Sequence, residues 1–197
     1  MTFNVVDYWP PYLNGAKGKS FFLYAAQGAC PAWSATFESC NGQMLLKQYD
    51  AAGNWLNTWY LEKHSDGLWE VQDDLPQTTS WLKTVFGAIS RERYSTPIGW
   101  GNIHNAGGVY SNSPQMSLLS SPPQTGNGTQ VICFEGVLDT FAGYRDVLQL
   151  TYQQSWDGKP ATGARMWLAK GIGPVGNQWL SAKLAGPIQI AKVSHVS

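Results

Sequence analysis

The sequence predicts a mainly β protein, an antiparallel, strongly curved sheet or open barrel with a short helical cover, built as one domain over residues 1–197. Two observations carry this. Short apolar-polar runs recur, separated by turn chemistry about every eight to twelve residues, which is the rhythm of a sandwich or barrel. The stretch from Glu135 to Trp179 then holds two long runs divided by Asp157-Gly158-Lys159-Pro160, the clearest periodic segment in the chain.

The elements follow in order. Residues 1–19 carry Tyr8-Trp9-Pro10-Pro11-Tyr12 and Asn14-Gly15, which favour an extended lead-in and turns. Ser20 to Ala26 reads as a first strand, interrupted at Gly28 to Pro31. Trp33 to Ser39 is a second, and Asn41-Gly42 is a hairpin signal leading to a third, Gln43 to Tyr49. Trp55 to His64 and Leu68 to Gln72 are the fourth and fifth. After Asp73-Asp74-Leu75-Pro76, the residues Trp81, Leu82, Val85 and Phe86 recur at helical spacing, which gives the helical cover.

Residues 95–128 are rich in Gly, Ser, Pro and Asn. They read as a functional loop or as strands around Trp100 and Val109-Tyr110. Asn127-Gly128-Thr129 matches a glycosylation sequon. Val131 to Leu138 and Tyr144 to Trp156 are strands. In the second, Leu148, Leu150 and Tyr152 share one face and Gln149, Thr151 and Gln153 the other. Ala164 to Lys170 follows, then a bend at Gly171 and Gly173, and Trp179 to Leu184 and Ile188 to Val193 close the chain as β.

Composition narrows the function classes. Charged residues are 13% of the chain, about half the usual share. Thirteen basic residues balance thirteen acidic ones without a basic run, so nucleic acid is not expected as a partner. No apolar run approaches the ~20 residues of a helical membrane span. Met1-Thr2-Phe3-Asn4 lacks a signal-peptide pattern, so the expectation is a cytoplasmic protein, or a periplasmic or secreted one in its mature form with Met1 added.

Cys30, Cys40 and Cys133 read first as small buried hydrophobes. A Cys30–Cys40 disulfide across a hairpin is the second reading for an exported protein. No CxxC, nucleophile elbow, P-loop or dinucleotide motif is present. His64, His104 and His195 show no metal spacing, so no cofactor or metal is expected.

The candidate site residues come from strand parity. Tyr60, Glu62 and His64 share one face of the fourth strand, where a carboxylate and an imidazole could form an acid–base pair or a solvated edge. Glu135 shares a face with Cys133 and Val137, and a carboxylate there is costly unless paired. Arg165, which lies with Trp167 and Ala169 on a later strand, is its candidate partner. The pair could orient a ligand in the sheet's concavity, be purely structural, or face solvent. Trp100, in the Gly-rich stretch, is a candidate for stacking on a sugar or an apolar ligand.

Three stretches together resemble bacterial exported β-proteins with a LolA-like or lipocalin-like curved sheet. They are Tyr8-Trp9-Pro10 with Gly18-Lys19-Ser20-Phe21, Gly136 to Phe141 running into Val147 to Leu150, and Met166 to Val175. A lipobox cysteine is absent, and residues 73–128 match nothing in the group. The resemblance implies a concave apolar face that holds a lipid-like or other small ligand. It also implies that a reaction can be steered there without a cofactor, as one such enzyme does in violacein biosynthesis.

The expected function is non-enzymatic binding of a small apolar or amphipathic ligand. The alternatives are a carbohydrate-binding, lectin-like protein, and a cofactor-free enzyme acting on a small aromatic or polyketide-like substrate.

Overall fold

A computed structural model of the chain describes residues 5–10, 18–40, 42–64, 67–77, 89–101, 108–118, 125–181 and 184–196, without the side chains of residues 40, 90, 95–101, 118 and 196. An N-terminal 3-10 turn (Val5–Tyr8) precedes thirteen strands. These are β1 (Lys19–Ala26), β2 (Trp33–Cys40), β3 (Gln43–Asp50), β4 (Trp55–His64), β5 (Gly67–Pro76), β6 (Ile89–Gly101), β7 (Val109–Asn112), β8 (Gln115–Leu118), β9 (Thr125–Phe141), β10 (Tyr144–Trp156), β11 (Thr162–Ala169), β12 (Gly173–Leu180) and β13 (Gln189–Val196).

The mainly β, antiparallel class expected from the sequence is what forms, and the sheet closes instead of staying open. Neighbouring strands pair from β10 through β13, on to β1 through β6, and then through β8 to β9. The full-length pairing of β9 with β10 joins the two ends, giving a ring of twelve strands. Strand β7 lies outside the sequential order. It pairs with Gln130–Cys133 of β9, while β8 pairs with Thr125–Asn127 on the same edge.

The helix expected at residues 79–86 lies outside the described residues. Within 95–128, the reading as strands is the one that forms, since β6 runs through Trp100 and β7 holds Val109 and Tyr110. The strand expected to begin at Trp179 begins at Gly173 instead, and Trp179 is near its end. The bend at Gly171 is therefore a tight turn between β11 and β12, with φ of 70° at Gly171 and 108° at Gly173.

Closure explains why period-2 alternation is so regular. Every strand has one face in the barrel and one outside it, so Phe22 and Tyr24 of β1, Ala35 and Phe37 of β2, and Leu150 of β10 are all buried on the inner face. The longest hairpin, β9–β10, turns at Ala142 and Gly143 with φ of 52° and 88°, the pair of positive angles a two-residue primed turn requires. Its tip curls over the outer face of β11 and β12, where Phe141 stacks on Trp167 at 4.6 Å and 4°. Gly176 of β12 lies beneath this stack. A Cβ at that position would be 2.5 Å from the Phe141 ring, so only glycine fits.

A twelve-stranded ring encloses more space than its own inward side chains fill, since about eight strands already give an interior just wide enough for them. The N-terminal segment takes up part of that space. Val5, Val6, Tyr8 and Trp9 are all buried in the main core. The turn is held at the β11–β12 end, where Gly171 N–H donates to the Asp7 carbonyl at 2.8 Å. Trp9 reaches inward and packs on Phe37 with ring centroids 5.7 Å apart.

Cys30 and Cys40 do not face each other. Cys30 is an exposed free thiol before β2, and Cys40 is the last residue of that strand, so an eight-residue strand separates them. At ~3.3 Å per residue that is about 25 Å, far beyond disulfide reach. The burial expected for all three cysteines fails at Cys30, while Cys133 is half-buried.

Trp9→Ala should lower stability by about 3–5 kcal/mol, as a large-to-small core change does, measured by urea unfolding. Gly176→Ala should lower the melting temperature, and adding Phe141→Leu should restore part of the loss, because the added methyl group meets the Phe141 ring.

Candidate functional site

The inner faces of β1 to β4 and of β10 to β13 bring a group of large rings to the end of the barrel opposite the Asp7–Gly171 contact. Tyr24 and Trp33 stack in parallel, 3.8 Å between centroids and 5° between planes. The Tyr24 hydroxyl donates to the Pro174 carbonyl at 2.5 Å, and the Trp33 indole N–H donates to Gln189 Oε1 at 2.7 Å. With Trp59, Tyr152 and Met166 these rings surround a cavity of about 50 Å³, with Trp9 of the N-terminal plug also in its wall. Gln48 and Asn177 supply polar edges, and Trp179, 55% exposed, stands at the rim.

One wall of this cavity adjoins a cluster of carboxyl groups. Glu70 and Asp73 of β5 are 4% and 8% exposed, and Glu92 of β6 is half-buried beside them. Glu70 and Asp73 are three residues apart, which would put them on opposite faces of a regular strand. The bulge between Glu70 and Gln72 shifts the parity, so Asp73 stands opposite Trp59 and Glu70 opposite Leu61, both inward-facing positions. Asp74, the next residue, points outward to Arg91, whose Nε and Nη2 bond its two oxygens at 2.9 and 3.1 Å.

Burial pushes the Glu70 carboxyl up to about 8, aided by the charge of Glu92 and opposed by a hydrogen bond from Tyr94. Burial likewise pushes Asp73 to about 9, with Glu70, Glu92 and Asp74 adding to the rise and a hydrogen bond from Trp59 opposing it. Glu92 is raised by burial as well. The hydroxyls of Tyr94 and Tyr152 are held protonated, mainly by burial and also by the nearby Glu70. At neutral pH the interior therefore stores protons on acids, and the cost of burying several like charges is avoided.

The residues singled out from the sequence lie elsewhere. Glu135 and Arg165 do meet, with Arg165 Nε 2.9 Å from Glu135 Oε2, but on the outer face of the barrel and half-exposed. Glu135 also accepts from Gln149 and Thr151, Arg165 donates to Gln178 at 3.2 Å, and Gln178 donates to the Gly186 carbonyl at 2.9 Å. Hydrogen bonds from Gln149 and Thr151 and the Arg165 guanidinium outweigh partial burial and keep the Glu135 carboxyl below its ordinary range. Trp167 is buried against Phe141 on the same face, and its indole N–H bonds Gln149 at 3.0 Å.

Glu62 and His64 are neighbours at 3.3 Å, exposed at the end of β4. Tyr60 belongs to a separate group, donating to Asp74 at 3.0 Å. The backbone of Trp100 pairs with Leu68 in β6, and its side chain lies outside the described residues.

Sequence reasoning missed Glu70, Asp73 and Glu92. Alternation in Leu68-Trp69-Glu70 was enough to put Glu70 on the face of Leu68. The inward turn of Asp73 depends on a bulge that no residue in Val71-Gln72 announces.

Among the described residues, no group of His, Cys, Asp and Glu is spaced to hold a metal ion, and no helix is long and apolar enough to cross a membrane. No protein-family model, curated protein or solved structure matches the chain.

The buried acids set a pH dependence with a definite sign. Their folded values exceed the unfolded carboxylate range, so the stability they allow is complete below about pH 4 and is lost as pH rises toward 8 and 9. Urea unfolding should show stability falling across that window by at most about 1.4 kcal/mol per pH unit per acid. Glu70→Gln with Asp73→Asn should flatten the slope.

Proposed function

We propose that the protein binds a small amphipathic ligand at the open end of the barrel, with its apolar part among the rings of Trp33, Trp59 and Tyr152. The single observation that carries this reading is the ring-lined cavity of about 50 Å³ that opens beside Trp179. Drug-sized pockets run to ~300 Å³ and more. A cavity this small takes one short apolar group, while the rest of the ligand lies in the mouth. The polar edges of Gln48 and Asn177 suit the amphipathic version of the ligand.

The closed antiparallel barrel also supports comparison with lipocalin-like carriers, although its ring has twelve strands where those have eight. A sugar-binding reading has one observation in its favour, the exposed Trp179 ring at the rim, which could stack on a pyranose face. Loss of retention on a glycan array in a Trp179→Ala variant would mark that reading.

The test is a titration with straight-chain alcohols from butanol to octanol, read by tryptophan fluorescence and by melting temperature. Binding to the folded state alone raises the melting temperature with concentration. Ala164 is buried in the cavity wall, and Ala164→Leu fills the space. The expected result is a rise in the wild type that is absent from the folded variant. Equal responses from both proteins, or none from either, would sink the proposal. Native mass spectrometry of the purified protein should show a small bound molecule.

A further inference from the structure

We infer that Trp9 sets a length limit on the ligand's apolar end, so that the site takes a short apolar group and gives a long acyl chain no further room. This rests on the ligand-binding reading above and names the size class of its ligand.

The cavity has a floor as well as a mouth. Its lining follows the inward residues of the strands down from the open end and stops at one level. On β2 it includes Trp33 and Ala35, and on β11 Ala164 and Met166. The next inward residues, Phe37 and Leu168, are fully buried in the core below. On β10 the lining holds Tyr152, with Leu150 fully buried beneath it. Trp9 closes the space at this level. It is 2% exposed and packs on the Phe37 ring.

Among the described lining residues, Trp9 is the only one that no strand carries. It belongs to the N-terminal segment, which is seated from the opposite end of the barrel. Gly171 N–H donates to the Asp7 carbonyl at 2.8 Å there, and Pro10 rests against β12, where a Cβ on Gly173 would lie 3.1 Å from Pro10 Cδ. The strands therefore set the width of the cavity, and one side chain outside the barrel wall sets its depth.

Size turns this geometry into selectivity. An apolar cavity of about 150 Å³ takes a molecule the size of benzene. The cavity above Trp9 is about 50 Å³, so only the tip of a chain is buried in it. Each methylene that enters such a space tightens binding roughly fourfold, and one left in the mouth adds little. A longer chain would have to occupy the volume of the Trp9 indole, whose burial is a large part of the core's apolar contact. Replacing that ring by a smaller side chain leaves space, because the surrounding core relaxes only in part.

The experiment measures the affinity of straight-chain alcohols from butanol to decanol by calorimetry on the full chain, in the wild type, in Trp9→Leu and in Leu61→Ala. Leu61 is buried in the same core without lining the cavity, so its variant reports general loosening.

In the wild type, affinity is expected to rise roughly fourfold per methylene up to a break length and to stay flat beyond it. Trp9→Leu should move the break to a longer chain and tighten decanol relative to butanol by roughly tenfold or more, the gain from about two further buried methylenes. Leu61→Ala should keep the wild-type break. Where Trp9→Leu does not melt cooperatively, Trp9→Phe, which keeps a smaller ring, should move the break by a shorter step.

An unmoved break in the Trp9 variants, or the same shift in Leu61→Ala, would overturn the inference and leave the pocket reading standing. So would affinity that climbs through the whole series in the wild type, or a folded Trp9 variant that binds no alcohol. Failure of every alcohol with every protein would overturn both.

Discussion

The pairing of β9 with β10 is the contact on which the rest of the molecule depends. It is made over nearly the whole length of both strands, from Tyr144–Phe141 to Trp156–Gly128, and it joins the two ends of the sheet. Without it, β9 and β10 would be edges with rows of unpaired backbone groups. With it, every strand has an inside and an outside. The inside must then be filled, because a ring of this size holds more volume than its own side chains occupy. The buried N-terminal segment, with Trp9 at its inner tip, answers that geometric demand from one end, and the ring-lined cavity is what is left at the other.

Polar groups divide between the two faces in a way that follows from water. Outside, Glu135, Gln149, Arg165 and Gln178 form a ladder across four strands, and Asp74 is gripped by Arg91. The Glu135–Arg165 pair stays partly hydrated, and a half-exposed ion pair of this kind contributes little to stability, about 0–1 kcal/mol, whereas Asp74 is itself buried and meets an exposed Arg91. Inside, Glu70 and Asp73 have no basic partner among the described residues, and burial keeps them neutral at ordinary pH. Acids left in that condition are a cost to the fold, as are the side-chain atoms of Gln130, which have no partner among the described residues. The interior thus tolerates chemistry that packing alone would have replaced with apolar side chains.

Much of the fold was legible in the residues. Alternation in Phe22 to Ala26, Trp33 to Phe37 and Leu148 to Tyr152 marked inward and outward faces, and Asp157-Gly158 marked the turn after β10. The Glu135–Arg165 pair was legible too, because both residues needed partners at matching positions of nearby strands. The site was not. Tyr60, Glu62 and His64 share a face, but nothing in period-2 alternation says whether that face is the concave one. Asp73 reads as a turn residue in Asp73-Asp74-Leu75-Pro76, and it becomes an inward acid because a bulge two residues earlier resets the strand's parity.

The sequence by itself determined that this chain is β, where most strands lie, and which residues share a face along each, since those follow from local alternation and turn chemistry. Only the tertiary structure decided that the sheet closes, which face is inside, and that Glu70, Asp73 and Glu92 stand beside Trp59 and Tyr152. Closure and bulges are long-range register choices. They depend on how strands far apart in the chain match their hydrogen bonds, and no short stretch of residues carries that information.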